Sequence, residues 1–492
     1  MRRKPVTTYL CRSVALVVAS VIAQAVQFIG ALVAARLYGP IEVGVYGLFM
    51  AIWGFAQIAS SWRYELAIVT SDNEDDARDV ALFVVMAGAV AMLIGFAILF
   101  AFDTMSSHFE ISGPLKQSIT ALPIVVVLVS LNLAGNNLCI RERRFVRIAA
   151  QQVAIAALTV LTQVALVGST RFGNGLVTGA VLGQLGGVTV VAFPLFSVLM
   201  QRLRQVDVVI RLRRAAYAHR GFFLYTNPYA VLSQLYFQIP ILLMGSLYGL
   251  REAGLFSLAY RTASSPVSLI PAAVSQVFFP ELARDRQRLD RWGPRLQGTV
   301  LSLGIVMAPG VALFIAAGPE IFSLLLGDSW REAGVMAQIL IVPALVMGLA
   351  TGADRLYWVL SRQRTAMLIT FGGVLATALT MLAATQFGSP SGWFVAVWSG
   401  THLAFSTIWM ALAYRIAGFS VVPLLCRLSV IFSVVALLSV AMGQCQSAWE
   451  GHIGAIALVF VALAIYTPLV VWAMTQLKLL LQQRQEDVSF GG

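Results

Sequence analysis

Leu37-Tyr38-Gly39-Pro40-Ile41-Glu42-Val43-Gly44-Val45-Tyr46-Gly47-Leu48 is written a second time, 210 residues on, as Leu247-Tyr248-Gly249-Leu250-Arg251-Glu252-Ala253-Gly254-Leu255-Phe256-Ser257-Leu258. Leu, Tyr, Gly, Glu, Gly and Leu recur in the same frame, with an aromatic at Tyr46 and Phe256. Each copy is a short polar break between two long apolar runs. Its glycines supply a turn, its Glu sits beside the start of the next helix, and its small residues let that helix pack closely. Both copies fall at the same point of the hydropathy pattern, which reads as an internal duplication.

Outward from the repeat, the chain is 59% hydrophobic and 11% charged, with mean hydropathy +0.82; soluble domains carry roughly 25% charged residues. This is an integral membrane protein. No polar gap is long enough to bury a soluble core, and the longest is Gln201 to Arg220. Spans need about 20 apolar residues. That rule predicts an all-α polytopic protein with fourteen transmembrane helices near 13–34, 43–62, 79–102, 118–138, 148–168, 174–199, 222–246, 254–279, 298–318, 333–353, 365–385, 392–414, 424–443 and 452–474. The run after Met1-Arg2-Arg3-Lys4 is too long for a signal core and lacks a small-residue exit, so it reads as a retained first span. Cys11, Cys139, Cys426 and Cys445 are scattered, with neither a disulfide framework nor zinc spacing.

The net charge of +12 is placed by topology and not by nucleic acid. With the N-terminus in the cytoplasm, 28 of the 34 Lys and Arg fall on inner segments and 5 on outer loops, the positive-inside asymmetry that fixes orientation. Both termini are then cytoplasmic. The two copies of the repeat join spans 1–2 and 7–8, so the halves share one orientation, a parallel repeat. The expected layout is an N-terminal lobe at 1–200 (spans 1–6), a cytoplasmic basic linker helix at 201–221, a C-terminal lobe at 222–415 (spans 7–12), and spans 13–14 with a cytoplasmic tail at 416–492. The linker carries six arginines and Leu199, Leu203, Val206 and Ile210 at helical spacing, the pattern of a helix on the inner leaflet. Ser71 to Asp76 lacks the spacing of a calcium loop and reads as solvated, its last acids favouring the start of span 3. Prolines gather in the second half: Pro228 and Pro240 in span 7, Pro266 and Pro271 in span 8, Pro309 and Pro343 in spans 9 and 10. Each is a place where a helix can bend.

Arg261 stands within span 8, where an arginine needs water, an acid or a ligand. Arg63 and Glu65 follow span 2. If that helix continues through Ile68, both charges lie at the inner mouth of a cavity; if it stops at Ser61, they are headgroup anchors. Arg36 ends span 1 as a snorkelling side chain. Gln24 and Gln27 in span 1, Gln57 in span 2, Asn132, Asn136 and Asn137 in span 4, and Gln234 and Gln238 in span 7 line a hydrated interior or tie helices together. His402 reads as a packing residue. The interior is basic and short of acids, which suits an anion such as a phosphate or diphosphate and disfavours a cation-coupled exporter of drugs or organic cations. No Walker motif, cofactor motif or metal spacing occurs. A membrane polymerase or ligase of lipid-linked glycans would place its acids or arginines in a sizeable outer loop, and none is present.

Ala35-Arg36-Leu37-Tyr38-Gly39-Pro40 with Gly44, Arg63-Tyr64-Glu65, Leu247-Tyr248-Gly249 to Gly254 followed by Ala259-Tyr260-Arg261, and Leu326-Gly327-Asp328-Ser329-Trp330 resemble the polysaccharide-repeat (Wzx-type) flippases. Their superfamily also contains the lipid II flippases and multidrug exporters. The resemblance covers nearly the whole chain. It implies a non-enzymatic carrier that moves an undecaprenyl-diphosphate-linked oligosaccharide from the cytoplasmic to the periplasmic leaflet of the bacterial inner membrane by alternating access. Its partners would be membrane lipid, a polysaccharide polymerase and a chain-length regulator, with no nucleic acid. It matches Arg261 and Arg63 to cavity arginines of the lipid II flippases, and Gln24 and Gln27 stand where a further arginine is expected in span 1. The expected substrate-binding set is therefore Arg261, Arg63, Glu65, Gln24, Gln27, Gln57, Gln234, Gln238 and Arg36.

Overall fold

The computed structural model describes residues 6–105, 113–169, 173–284, 292–386, 390–447, 454, 456, 458, 459 and 462. Among these residues it is all-α, and the contacts divide it into two units, Met1–Gly254 and Leu255–Gly492. The helices are α1 Val6–Leu37, α2 Pro40–Ser61, α3 Glu65–Thr70, α4 Glu74–Met105, α5 Gly113–Ile119, α6 Leu122–Arg141, α7 Phe145–Ala165, α8 Gly175–Leu203, α9 Val208–Ala218, α10 Asn227–Leu247 and α11 Leu250–Arg284. They continue with α12 Trp292–Leu326, α13 Arg331–Val359, α14 Gln363–Gln386, α15 Ser391–Ile416 and α16 Val422–Ser447. Eleven segments among the described residues are long and apolar enough to cross a membrane, matching predicted spans 2–7 and 9–13. Helices α1 and α11 run through predicted spans 1 and 8. The span expected at 452–474 falls mostly outside the described residues, so the count of fourteen stays an expectation.

Apolar side chains such as Phe100, Leu161 and Phe193 stand exposed in mid-helix, as they must where the solvent is hydrocarbon. In the first unit α7 lies between α1 and α8, and α6 packs on α2, α4 and α8. Phe49 and Trp53 of α2, Val125 and Val129 of α6 and Val177 and Ala180 of α8 close one core. In the second unit α13 packs on α12 and α15, and α16 on α12.

The repeat explains the start of both α2 and α11. Glu42 and Glu252 lie in their first turns, where the helix dipole favours negative charge. The turns differ: Gly249 adopts φ +89°, whereas Gly39 is extended at φ −78° and Pro40 opens the helix. The equivalent glycines then meet each other. A Cβ at Gly44 would overlap the Leu250 carbonyl, and one at Gly254 would overlap the Pro40 carbonyl, so residues 40–44 and 250–254 cross with backbone in mutual contact.

The amides of span 4 tie helices together. Asn132 Nδ2 donates to the Gln184 carbonyl and to Gln184 Oε1, both at 2.9 Å, and Gln151 Nε2 donates to Asn132 Oδ1 at 2.8 Å, joining α6, α7 and α8. In Asn132→Leu the Gln151 and Gln184 amides lose these partners inside the bundle. We expect a loss of about 1–3 kcal/mol, read as an earlier midpoint in detergent unfolding. The proline expectation needs correction in part. Pro228 lies just after a π-helical turn at Phe222–Thr226 that runs into α10, so the helix does depart from regular α geometry beside that proline. The break in α12 is at Ala317 (φ −132°), two residues before Pro319, and not at Pro309.

Candidate functional site

Helix α2 stops at Ser61, yet Glu65 is not a headgroup anchor. Trp62 and Arg63 both take left-handed φ, 51° and 66°, and turn the chain into the short helix α3. Non-glycine residues pay for that conformation, and three contacts hold it. Trp62 stacks on Phe223 with ring centroids 4.8 Å apart. Tyr64 donates from its hydroxyl to the Ala216 carbonyl at 3.0 Å, and burial holds its phenol above the ordinary tyrosine range, so it remains a donor. Arg141 Nη1 caps the end of α3 by donating to the carbonyls of Ile68 (3.0 Å) and Ser71 (2.7 Å). The reversal buries Glu65 to 3% exposure, with Oε1 3.5 Å from Arg63 Nη1. Glu65 Oε2, Arg63 Nε and Ser61 Oγ are buried and find no hydrogen-bond partner among the described residues. Buried polar atoms are normally satisfied; in the first unit Asn136 Oδ1, Arg147 Nη1, Asn227 Oδ1 and Glu252 Oε2 share this condition.

Other expected residues are distributed as follows. The Gln234 amide fills the space that a Cβ at Gly54 of α2 would occupy, one turn from Gln57, which is exposed. Gln238 is half-buried one turn further along α10. Gln24 and Gln27 are exposed on α1, which is fastened to α7 by Ser20 Oγ donating to Gln152 Oε1 at 2.6 Å. Arg36 is exposed at the end of α1. Arg261 lies in the second unit, half-buried on α11. The helix beside it is locked to α15: Phe256 and Tyr260 pack on Trp398 with centroids 5.4 and 5.3 Å away. His402, 1% exposed, stacks on the same Trp398 at 5.1 Å and is a packing residue.

Two features escaped the sequence. Residues Ser71 to Asp76 are not simply solvated, because the acids opening α4 meet the basic linker. Arg202 Nη2 pairs with Asp75 and its Nε lies 3.5 Å from Asp79; Arg211 Nη1 is 3.7 Å from Asp79, and His219 Nε2 is 2.8 Å from Asp76. The start of α4 is thereby tied to the end of α8 through Arg202 and to α9 through Arg211 and the following His219, with Ala215 of α9 buried in the same cluster as Ala77 and Val80. Arg204, Arg213, Arg214 and Arg220 remain exposed, the face available to a leaflet. The second feature is Asp354. Helix α13 continues to Val359, past the expected end at 353, and carries Asp354 and Arg355 with it. Hydropathy ends a span where charge begins, but backbone hydrogen bonding does not.

An all-α bundle of membrane-crossing helices, with polar side chains placed at helix breaks, defines a multi-pass membrane protein. The family model described as "polysaccharide biosynthesis protein" matches residues 33–335, well over half of the chain, and the chain belongs to that family. It is a multi-pass membrane protein of polysaccharide biosynthesis. The succinoglycan biosynthesis transport protein ExoT of Rhizobium meliloti (strain 1021) is 23% identical over 376 residues, 71% of each chain. The fold is shared with the lipid II flippase MurJ in an inward closed conformation, at TM-score 0.71 and 11% identity over 94% of this chain and 99% of that one. It is shared also with an inward-facing multidrug resistance MATE family transporter of the MOP superfamily, at TM-score 0.64 and 12% identity over 82% and 98%.

Proposed function

We propose that the protein carries an undecaprenyl-diphosphate-linked oligosaccharide repeat unit from the cytoplasmic to the periplasmic leaflet of the bacterial inner membrane, by alternating access, for O-antigen or exopolysaccharide synthesis. The observation that carries the reading is the family match over 33–335 in a chain whose fold is that of a flippase for a lipid-linked saccharide. The lobes are 1–200 and 222–415, joined by the linker at 201–221 and followed by spans 13–14 and a cytoplasmic tail at 416–492, with both termini cytoplasmic. Arg261 takes the diphosphate, and Gln24, Gln27, Gln57, Gln234, Gln238, Arg63, Glu65 and Arg36 line the route. Moving each negative charge outward is favoured by about 2.3 kcal/mol per 100 mV of inside-negative potential, so export needs no ATP. The product passes to a polysaccharide polymerase and a chain-length regulator.

The test is reconstitution. In proteoliposomes holding the lipid-linked repeat unit in both leaflets, the outer-leaflet pool is first digested by an added glycosidase. The protein is expected to bring the inner pool within reach of the enzyme, faster under an inside-negative potential. An inner pool that stays protected, in vesicles that expel an organic cation, overturns the reading in favour of a drug antiporter.

A further inference from the structure

In the second unit, the C-terminal parts of α11, α13 and α15 and the N-terminal part of α12 surround a cleft with about 470 Å³ of empty space, counting its open side. That size lies within the range of small-molecule sites. Its floor is apolar: Leu282 and Leu349 are 1% and 2% exposed, with Leu296, Val300 and Ala353 buried beside them. Tyr414 is buried there too, and Ser275 lines the floor with its oxygen covered. The mouth is half-buried, formed by Val274, Thr299, Leu303, Gly352 and Arg355. Arg355 is the one charged residue among those that line the cleft. Asp354 precedes it on α13 without lining the cleft, since successive residues of a helix point about 100° apart.

The ligand must suit an apolar floor and a cationic mouth. A free phosphate would meet a single cation and then a wall of leucine and valine, giving up its hydration for little return. A metal ion would find an arginine and no carboxylate. A neutral hydrocarbon would fill the floor without using the charge at the mouth. An apolar chain that ends in a phosphate uses both, because the chain takes the floor and the head stays at the mouth, where a guanidinium meets phosphate with two parallel N–H bonds.

We infer that this cleft holds a single-chain lipid phosphate, with its head on Arg355 and its first chain carbons between α11, α12 and α13. One cleft takes one chain, which separates a polyprenyl carrier from the two-chain lipids of the bilayer. The inference rests on the proposed function for its direction: with both termini cytoplasmic, the α11–α12, α13–α14 and α15–α16 connections face the cytoplasm, and the cleft lies at the leaflet from which the carrier lipid is drawn. Arg355 is then a contact for the arriving lipid in the second unit.

Full-length protein in neutral detergent micelles is labelled with dodecyl phosphate carrying a photoreactive diazirine on its chain, and the labelled peptides are mapped. The wild type is expected to carry label on α11, α12 and α13. Gly352→Leu plugs the mouth; a side chain there starts into open space, so the variant should fold, and it should cut labelling at least tenfold. Arg355→Gln should cut labelling by the phosphate about tenfold, the worth of one charge-assisted contact. It should leave labelling by the matching diazirine dodecanol unchanged, whereas a merely structural role would move both probes together. Farnesyl phosphate in excess should displace the label, and inorganic phosphate and phosphatidylglycerol should not. Four results overturn the inference: no label on these helices in the wild type, label undiminished in Gly352→Leu, both probes lowered alike in Arg355→Gln, or displacement by inorganic phosphate or phosphatidylglycerol as effective as by farnesyl phosphate. The proteoliposome assay is a separate readout. A protein that is labelled as expected but moves no lipid-linked glycan sinks the transport reading alone, and one that flips glycan but fails the labelling test sinks the cleft alone.

Discussion

Gly44→Val and Gly254→Val should each abolish accumulation of folded protein in the membrane, and even the alanine variants should be severely destabilised. The reason is that the obstacle is backbone. A Cβ at Gly44 would overlap the Leu250 carbonyl oxygen, with the carbonyl carbon 2.8 Å away and the Gly254 nitrogen 3.1 Å away. At Gly254 the counterparts are the Pro40 carbonyl, with its carbon 2.9 Å away, and the Gly44 nitrogen at 2.9 Å. A side chain can rotate out of such a clash, but a helical carbonyl cannot, so the two segments must part. Overpacking a well-filled core costs typically about 1–3 kcal/mol where side chains can yield; here the Ala variants should reach or exceed the top of that range. Two controls separate this from general glycine effects. Gly310→Ala, in mid-α12 with open space at its Cβ, should be neutral or slightly stabilising. Gly249→Ala, also unobstructed but at φ +89°, should lose only about 1–2 kcal/mol from its backbone. Monodisperse yield from membranes and resistance to protease measure all four. If Gly44→Ala is as benign as Gly310→Ala, the crossing of the two repeat copies is not as described.

That crossing was announced by the sequence more plainly than anything else in the chain. Two glycines in one frame, each two residues after a glutamate, needed only the structure to show that they face each other. Spans were legible for a similar reason, since about 20 apolar residues have few alternatives to crossing a bilayer. The reversal at Trp62 and Arg63 was not legible, because neither residue is one that left-handed backbone favours. Its cost is met by Tyr64, Arg141 and Phe223, whose partners across the contacts lie far away in the chain. The same holds for α9. Its amphipathic pattern and arginines were visible, but that Arg211 of α9, Arg202 at the end of α8 and His219 just after α9 answer Asp75, Asp76 and Asp79 depends on pairs more than 120 residues apart. The end of span 10 was set at 353 because hydropathy marks the bilayer and not the helix, and α13 outruns it by six residues, taking in Asp354. Of the expected binding residues, the sequence named Arg63 and Glu65 but could not show that they neutralise each other.

Arg202→Ala should loosen the end of α8, where the linker begins, from the start of α4. The Arg202 side chain is 5% exposed and touches two carboxylates, Asp75 and Asp79, of which Asp79 is largely buried and Asp75 is in water. Breaking a buried pair by removing one partner costs about 3–5 kcal/mol. Asp79 retains Arg211 at 3.7 Å and Asp75 rehydrates freely, so the expected loss is reduced to about 2–4 kcal/mol. Because the network is partly shielded from solvent, raising the salt concentration should not reproduce the loss. Arg202→Asp should be worse than Arg202→Ala, since it sets a third carboxylate between the other two. The origin of the effect is tested by removing both partners. Replacing a buried pair with apolar side chains of similar volume is often neutral, so Arg202→Met with Asp79→Leu should recover most of the stability lost in either single variant. Protease cleavage within 201–221 reads the position of the linker directly: fast in Arg202→Ala, and slow in the wild type and the double variant. A double variant cleaved as fast as Arg202→Ala would mean that the Arg202 pairs themselves, and not a charge left stranded on Asp79, hold the end of α8 on α4.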